Sequence, residues 1–150
     1  MNNYANFLLE KTEFKKIYHF TESDESLISI LKGDSLESGI FNNAYGRGYE
    51  NISFTWNPKM WDIEYVGDLY PRYQARISFN YDKMCKKWDF KKFDYGIKEE
   101  EEIIIEEQEI FGVSEYITEI LISDEVSMDN IKHIRRMFPS INIKIVRRDK

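Results

Sequence analysis

A lone cysteine, Cys85, leaves this chain without a possible internal disulfide and without a cysteine-based zinc site. Histidine is nearly as scarce: His19 and His133 are the only two, which disfavours a metal enzyme. No apolar run approaches the length of a membrane-spanning helix, and the opening Met-Asn-Asn-Tyr-Ala-Asn-Phe-Leu-Leu-Glu lacks both the basic region and the long apolar stretch of a secretion signal. A cytoplasmic location is therefore expected. Neither G-x-G-x-x-G after a strand nor G-x-x-x-x-G-K-S/T occurs, so any bound nucleotide is held by neither familiar glycine-rich phosphate loop. Positive charge is also in deficit. A net charge of -6 argues against a protein whose main task is to coat nucleic acid, because that affinity comes from neutralised phosphates.

What is present describes one folded domain spanning residues 1–150, long enough to bury a core without staples. Aromatics at 15% and charged residues at 32% fit a globule with a well-solvated surface rather than a disordered chain. The charge is uneven: Glu99 to Glu109 is acidic, while Lys132, Arg135, Arg136, Lys144, Arg147, Arg148 and Lys150 make the end of the chain basic. Two solvated faces account for this. A basic edge that docks an anionic target is the alternative.

Periodicity places the elements. Tyr4 to Lys11 reads as a short helix and Phe14 to Phe20 as a strand ending near His19. Thr21 or Ser23 then suits a helix N-cap, Asp24 and Glu25 suit a first turn, and Leu27, Ile28, Ile30 and Leu31 form an apolar stripe that Gly33 ends. Ser35 to Glu50 reads as a long loop containing Tyr45-Gly46-Arg47-Gly48-Tyr49, and loops of that length in a compact domain tend to be functional. Asn51 to Trp56 alternates as a strand, with Ser53 and Thr55 on one face and Ile52 and Phe54 on the other. Tyr73 to Tyr81 is a third strand, and Met84 to Tyr95 an aromatic, lysine-rich connection. Glu101 to Gln108 and Glu115 to Ile122 read as strands joined by a turn at Gly112. A helix from Met128 to Phe138 and a strand from Ile141 to Val146 finish the chain. The expected fold class is α+β with mixed, mostly antiparallel sheets and a few short helices.

Three small chemical signals fall on three strands: His19, the pair Ser53 and Thr55, and the carboxylates Glu99, Glu100, Glu101 and Glu102. Each type occurs routinely in strands for structural reasons. Their order is more informative. "YHFT" followed by "SLISILKGDSL", then "ISFTWNP", then "KEEEEIII", resembles the ADP-ribosyltransferase fold family, in which a first strand carries His, a second a small hydroxyl residue or Tyr, and a later one begins at the catalytic Glu. The opening is also similar to that of DNA-modifying thymidine ADP-ribosyltransferase toxins and of small phage-encoded proteins of this layout. The likeness spans Ile17 to Ile122.

The resemblance implies a transferase that takes ADP-ribose from NAD, as co-substrate, to a protein or nucleic-acid acceptor, as an effector of phage or toxin type. It puts His19 on a ribose hydroxyl, Ser53 in support of the glutamate or the ribose, and Thr55 in the pocket wall. Phe20 and Thr21 join the cofactor surface beside His19. The catalytic carboxylate is Glu101 (with Glu99) or Glu102 (with Glu100), because the apolar Ile103, Ile104 and Ile105 leave the register open. Since the second strand has no tyrosine, stacking on nicotinamide falls to Tyr45, Tyr49 or Trp56, and Arg47, Arg72 or Arg76 would meet the pyrophosphate as a two-pronged donor. Two other readings compete: a catalytically silent module that binds a nucleotide or a protein through the same scaffold, and a small RNase-like toxin pairing His19 with Glu101. His133 is expected on a helix surface, Cys85 as a partly buried thiol, and Trp56, Trp61 and Trp88 in core or interface positions.

Overall fold

The computed structural model describes residues 14–38, 51–59, 73–93 and 101–147. The expected helix from Tyr4 to Lys11, the aromatic stretch around Tyr45 and Tyr49, and Arg47, Trp61, Arg72, Glu99 and Glu100 lie outside the described residues. The elements are β1 (Lys16–Thr21), α1 (Asp24–Gly33), β2 (Ser35–Glu37), β3 (Ile52–Thr55), β4 (Ala75–Asn80), α2 (Tyr81–Met84), β5 (Phe90–Lys92), β6 (Glu102–Ile105), β7 (Glu109–Phe111), β8 (Ile117–Ser123), α3 (Met128–Met137) and β9 (Ile143–Val146), with a 3-10 turn at Ser114–Tyr116. Seven strands form one sheet in the order β5-β6-β3-β1-β4-β8-β9, and β2 pairs with β7 in a second. Every pairing is antiparallel except β8 with β9, where α3 supplies the crossover that a parallel pair needs. The fold is α+β, as the pattern of periods predicts. Among the described residues no helix is long and apolar enough to cross a membrane.

Alternation divides the large sheet into two unlike faces. One carries Ile17, Ile52, Phe54, Ile77, Phe79 and Ile120, all almost fully buried, in one cluster with Leu27 and Leu31 of α1 and Ile131 and Ile134 of α3. The other face is polar and aromatic. Register aligns Glu102 with Thr55, Thr55 with Tyr18, Tyr18 with Ser78 and Ser78 with Glu119, a single row crossing five strands. At the centre of the sheet only one Cα pair, Tyr18 with Thr55, joins β1 to β3, whereas β1 and β4 are paired over six positions. The sheet is therefore two half-sheets meeting at a short seam.

Of the two N-caps that the sequence offers the structure uses the second, α1 ends at Gly33 as expected, and several other local expectations are corrected. Ser23 is the N-cap of α1, its hydroxyl accepting from Ser26 N at 3.1 Å, while the Thr21 hydroxyl donates to Ser23 O. The left-handed residue after the helix is Asp34 at φ +50° and not Gly33; Gly33 matters instead for space, since a Cβ there would sit 3.1 Å from Ser35 Oγ. The segment expected as a loop from Ser35 begins with β2, which is held by β7, a strand within the span expected to be a turn. The connection expected from Met84 to Tyr95 contains the end of α2 and β5. Short strands of three residues leave too few alternations to be read as strands. Cys85 is exposed rather than partly buried, at the C-cap of α2. His133 is exposed on α3, as expected.

Candidate functional site

Glu102 opens β6, buried to 7% exposure at the strand's first position. Its neighbour Glu101 is exposed and has the left-handed backbone φ of +48°, so the chain kinks immediately before β6 and turns the two carboxylates into different surroundings. Glu101 O accepts from Trp56 N at 3.2 Å, which fixes the kink against the end of β3. A carboxylate taken out of water needs hydrogen-bond donors. Ser53 supplies one: its hydroxyl donates to Glu102 Oε2 at 2.5 Å. Since Ser53 lies opposite Ile104, and Thr55 opposite Glu102, the serine reaches the carboxylate diagonally across the same face.

Ser53 is also where His19 connects. The His19 ring bonds Ser53 O through Nδ1 at 2.8 Å. A carbonyl only accepts, so Nδ1 carries the proton, and in the neutral ring Nε2 is the acceptor. Burial lowers the His19 pKa, and the bond to Ser53 offsets part of that fall, so the imidazole is neutral at pH 7. Register with Ile77 and an edge contact to the Phe54 ring, 5.9 Å between centroids, set the imidazole on the helix-covered face, beside the seam. His19, Ser53 and Glu102 thus form one line of contacts, ring to backbone carbonyl and hydroxyl to carboxylate, with Ser53 at the middle and its two ends on opposite sides of the sheet.

The remaining sequence-predicted residues separate by what they touch. Thr55 is buried next to Glu102 on the same face, its hydroxyl accepting from Asn57 N at 3.0 Å and shaping the turn after β3. Trp56 is half-buried and packs edge-on against Tyr81, 4.8 Å between centroids, at the margin of the core. Phe20 lies on the polar face against Tyr73, and Thr21 is buried at the end of β1. Arg76 is on the polar face but its guanidinium is committed: Nη2 donates to Glu119 and Nη1 to Pro58 O, both at 3.2 Å, and the group lies 4.7 Å over the Tyr18 ring. Lys144 joins Glu119 from β9 at 3.1 Å. Burial lowers the Arg76 pKa, against the raising effect of Tyr18 and Glu119, and the group stays cationic. Tyr45 lies outside the described residues.

The structure thus brings Ser53, Thr55 and Glu102 together, links His19 to them through a backbone atom, and sets Arg76 two strands away in an ion pair. Sequence reading missed Tyr18, Ser78 and Glu119, which continue the row. The signal was there: Gln74, Arg76 and Ser78 are polar at alternate positions between the apolar Ala75, Ile77 and Phe79, which marks β4 as two-faced. Comparison with protein-family models, with curated proteins and with solved structures gives no match.

Proposed function

We propose that this chain is an ADP-ribosyltransferase that cleaves NAD, with Glu102 as its catalytic carboxylate. The single observation that carries the reading is the hydroxyl of Ser53 on the buried carboxylate of Glu102, with His19 tied to the same serine. In the reaction the bond from ribose C1′ to the nicotinamide nitrogen breaks, its electron pair leaves with neutral nicotinamide, and the ribose becomes oxocarbenium-like. A fixed anion beside that sugar lowers the barrier because it is already in place when positive charge develops. Ser53 keeps the Glu102 carboxylate aimed. His19 does not take the ribose hydroxyl that the resemblance gives it, because its imidazole lies on the helix-covered face away from Glu102; neutral, it holds the Ser53 carbonyl and takes no proton in the step. An acceptor nucleophile on a protein or a nucleic acid then bonds C1′ and loses its proton. An effector of phage or toxin type, working in a cytoplasm where NAD is plentiful, is the setting that fits.

The second reading, a silent module that binds a nucleotide or a protein, draws on Arg76: a guanidinium already paired with Glu119 and Pro58 is not a ready clamp for pyrophosphate. The RNase-like reading has no such support, since the His19 ring meets Ser53 and Phe54 rather than Glu101. Release of nicotinamide from NAD by the full chain, with and without Glu102→Gln, decides between transferase and module.

A further inference from the structure

β9 closes one end of the large sheet: β8 pairs with it on one side, and among the described residues no strand pairs with it on the other. Asn142 O accepts from Ile120 N and Val146 O from Asp124 N, so the even-numbered residues of this stretch turn their backbone groups to β8. Along a strand these groups alternate in side, so Ile143 and Ile145 turn theirs outward. One outward carbonyl is occupied: Arg135 of α3 reaches the edge, and its Nη2 donates to Ile143 O at 3.1 Å. The Ile145 side chain is 39% exposed, so the strand is open to solvent at that point.

The surroundings of this edge are basic. From residue 130 to residue 148 the sequence has six lysines and arginines and no aspartate or glutamate, in a chain whose net charge is -6. On α3, Lys132 and Arg136 are exposed and stand one turn apart, and Lys132 lies three residues before Arg135, so these cations line the side of the helix from which Arg135 meets β9. Charge selects the occupant. A second copy is barred, because antiparallel pairing of two β9 strands about Ile145 sets Arg147 opposite Ile143, whose carbonyl Arg135 holds, and brings cation against cation. A nucleic acid has no row of alternating donors and acceptors to continue a ladder, and the exposed apolar group here is an isoleucine rather than a ring on which bases stack. An extended peptide with carboxylates meets both the backbone groups and the charge.

We infer that the outer edge of β9, with the Lys132, Arg135 and Arg136 side of α3, docks an acidic extended segment of a partner protein as an added strand. Main-chain bonds to the Ile145 N–H and C=O supply the ladder. Carboxylates on alternate residues of the segment face the α3 cations, and the apolar residues between them lie beside Val146 on the other face. Edge strands are ordinarily blunted by charge against indiscriminate pairing. Here the charge is of one sign, which turns a general guard into a selection for acidic partners. The inference does not depend on the transferase reading, since β3, β1, β4 and β8 stand between β9 and the β6 of Glu102.

The test is fluorescence anisotropy of a labelled octapeptide of alternating glutamate and valine titrated with the full chain, beside a lysine-valine octapeptide and a short single-stranded oligo(dT). The glutamate peptide is expected to bind with a Kd below about 1 mM, and the lysine peptide not to bind. Lys132→Glu combined with Arg136→Glu should weaken binding about tenfold or more. Ile145→Pro removes the outward N–H and spares the ladder to β8, so it should abolish binding at an unchanged melting temperature. Where that variant melts lower, the peptide carries the same test: of two forms, one N-methylated on every valine amide and one on every glutamate amide, at least one should lose binding. Absence of binding by the glutamate peptide, equal binding of the lysine peptide, or tighter binding of oligo(dT) overturns the docking edge. So does indifference to the charge reversals, or retention of binding by a stably folded Ile145→Pro or by both methylated forms.

Discussion

The Ser53 hydroxyl reaches Glu102 Oε2 at 2.5 Å across a diagonal of the sheet, although the residue directly opposite Glu102 is Thr55. The Thr55 hydroxyl oxygen accepts from Asn57 N in the turn that ends β3. On this face the Ser53 hydroxyl aims a carboxylate, and the Thr55 hydroxyl holds the backbone of the turn.

Ser53→Ala is expected to lower NAD cleavage by about ten- to a hundredfold and to cost about 1–3 kcal/mol of stability, since it takes a donor from a buried carboxylate while the strand is kept. Steady-state nicotinamide release and urea denaturation measure the two effects. Unchanged turnover would show that the serine does not position Glu102.

His19 gives the fold a pH dependence. Its folded pKa lies below the ordinary value of 6.5, so the unfolded chain binds the proton more readily than the folded one. The contribution is fully present above pH 6.5 and is lost as pH falls through the lower folded value. Denaturation midpoints should drop more steeply below pH 6.5 in the wild type than in His19→Gln, which keeps a donor for Ser53 O but does not titrate. Parallel slopes for the two proteins would contradict this.

Asp34 tests the junction between α1 and the small sheet. Its backbone is left-handed at φ +50°, its carboxylate accepts from Ser114 N at 2.7 Å, and its carbonyl accepts from Gly112 N at 2.8 Å. Asp34→Asn, which tolerates that φ and retains an acceptor, should stay within about 0.5 kcal/mol of wild type, whereas Asp34→Ala should lose about 1–3 kcal/mol. Chemical denaturation ranks the pair, and equal stability of the two variants would remove the role given to the side chain.

Phe54 is the aromatic hinge of the core, 2% exposed and edge-on to His19, Phe79 and Phe90 at 5.9, 5.8 and 5.4 Å. Phe54→Ala should cost about 3–5 kcal/mol and Phe54→Leu less than about 2, by loss of transfer energy plus the cavity left behind. A loss under 1 kcal/mol for the alanine variant, measured by denaturant unfolding, would mean the two half-sheets are not joined through this ring.

Where periodicity runs long, sequence and structure agree. The Leu27 and Leu31 stripe, the strict alternation through Ser53 and Phe54, and the amphipathic stretch from Met128 declare α1, β3 and α3 because several turns or alternations repeat the same message. β2, β5 and β7 have three residues each and exist through their partners, so no local pattern announces them. The choice between Glu101 and Glu102 was closed to sequence for a different reason. Both precede an isoleucine triplet that is buried throughout, and only the left-handed kink at Glu101, a backbone fact, turns one carboxylate outward and the other in. The commitment of Arg76 to Glu119 was equally hidden, because that partner comes from a strand 43 residues away.

Nicotinamide release from NAD, followed by chromatography for wild type, Glu102→Gln and Glu101→Gly, addresses the catalytic assignment directly. Glu101→Gly accommodates the left-handed backbone and should retain near-full turnover, whereas Glu102→Gln, folded to the same melting temperature within a few degrees, should fall by about a hundredfold or more. Equal release by wild type and Glu102→Gln, or loss confined to Glu101→Gly, would contradict it.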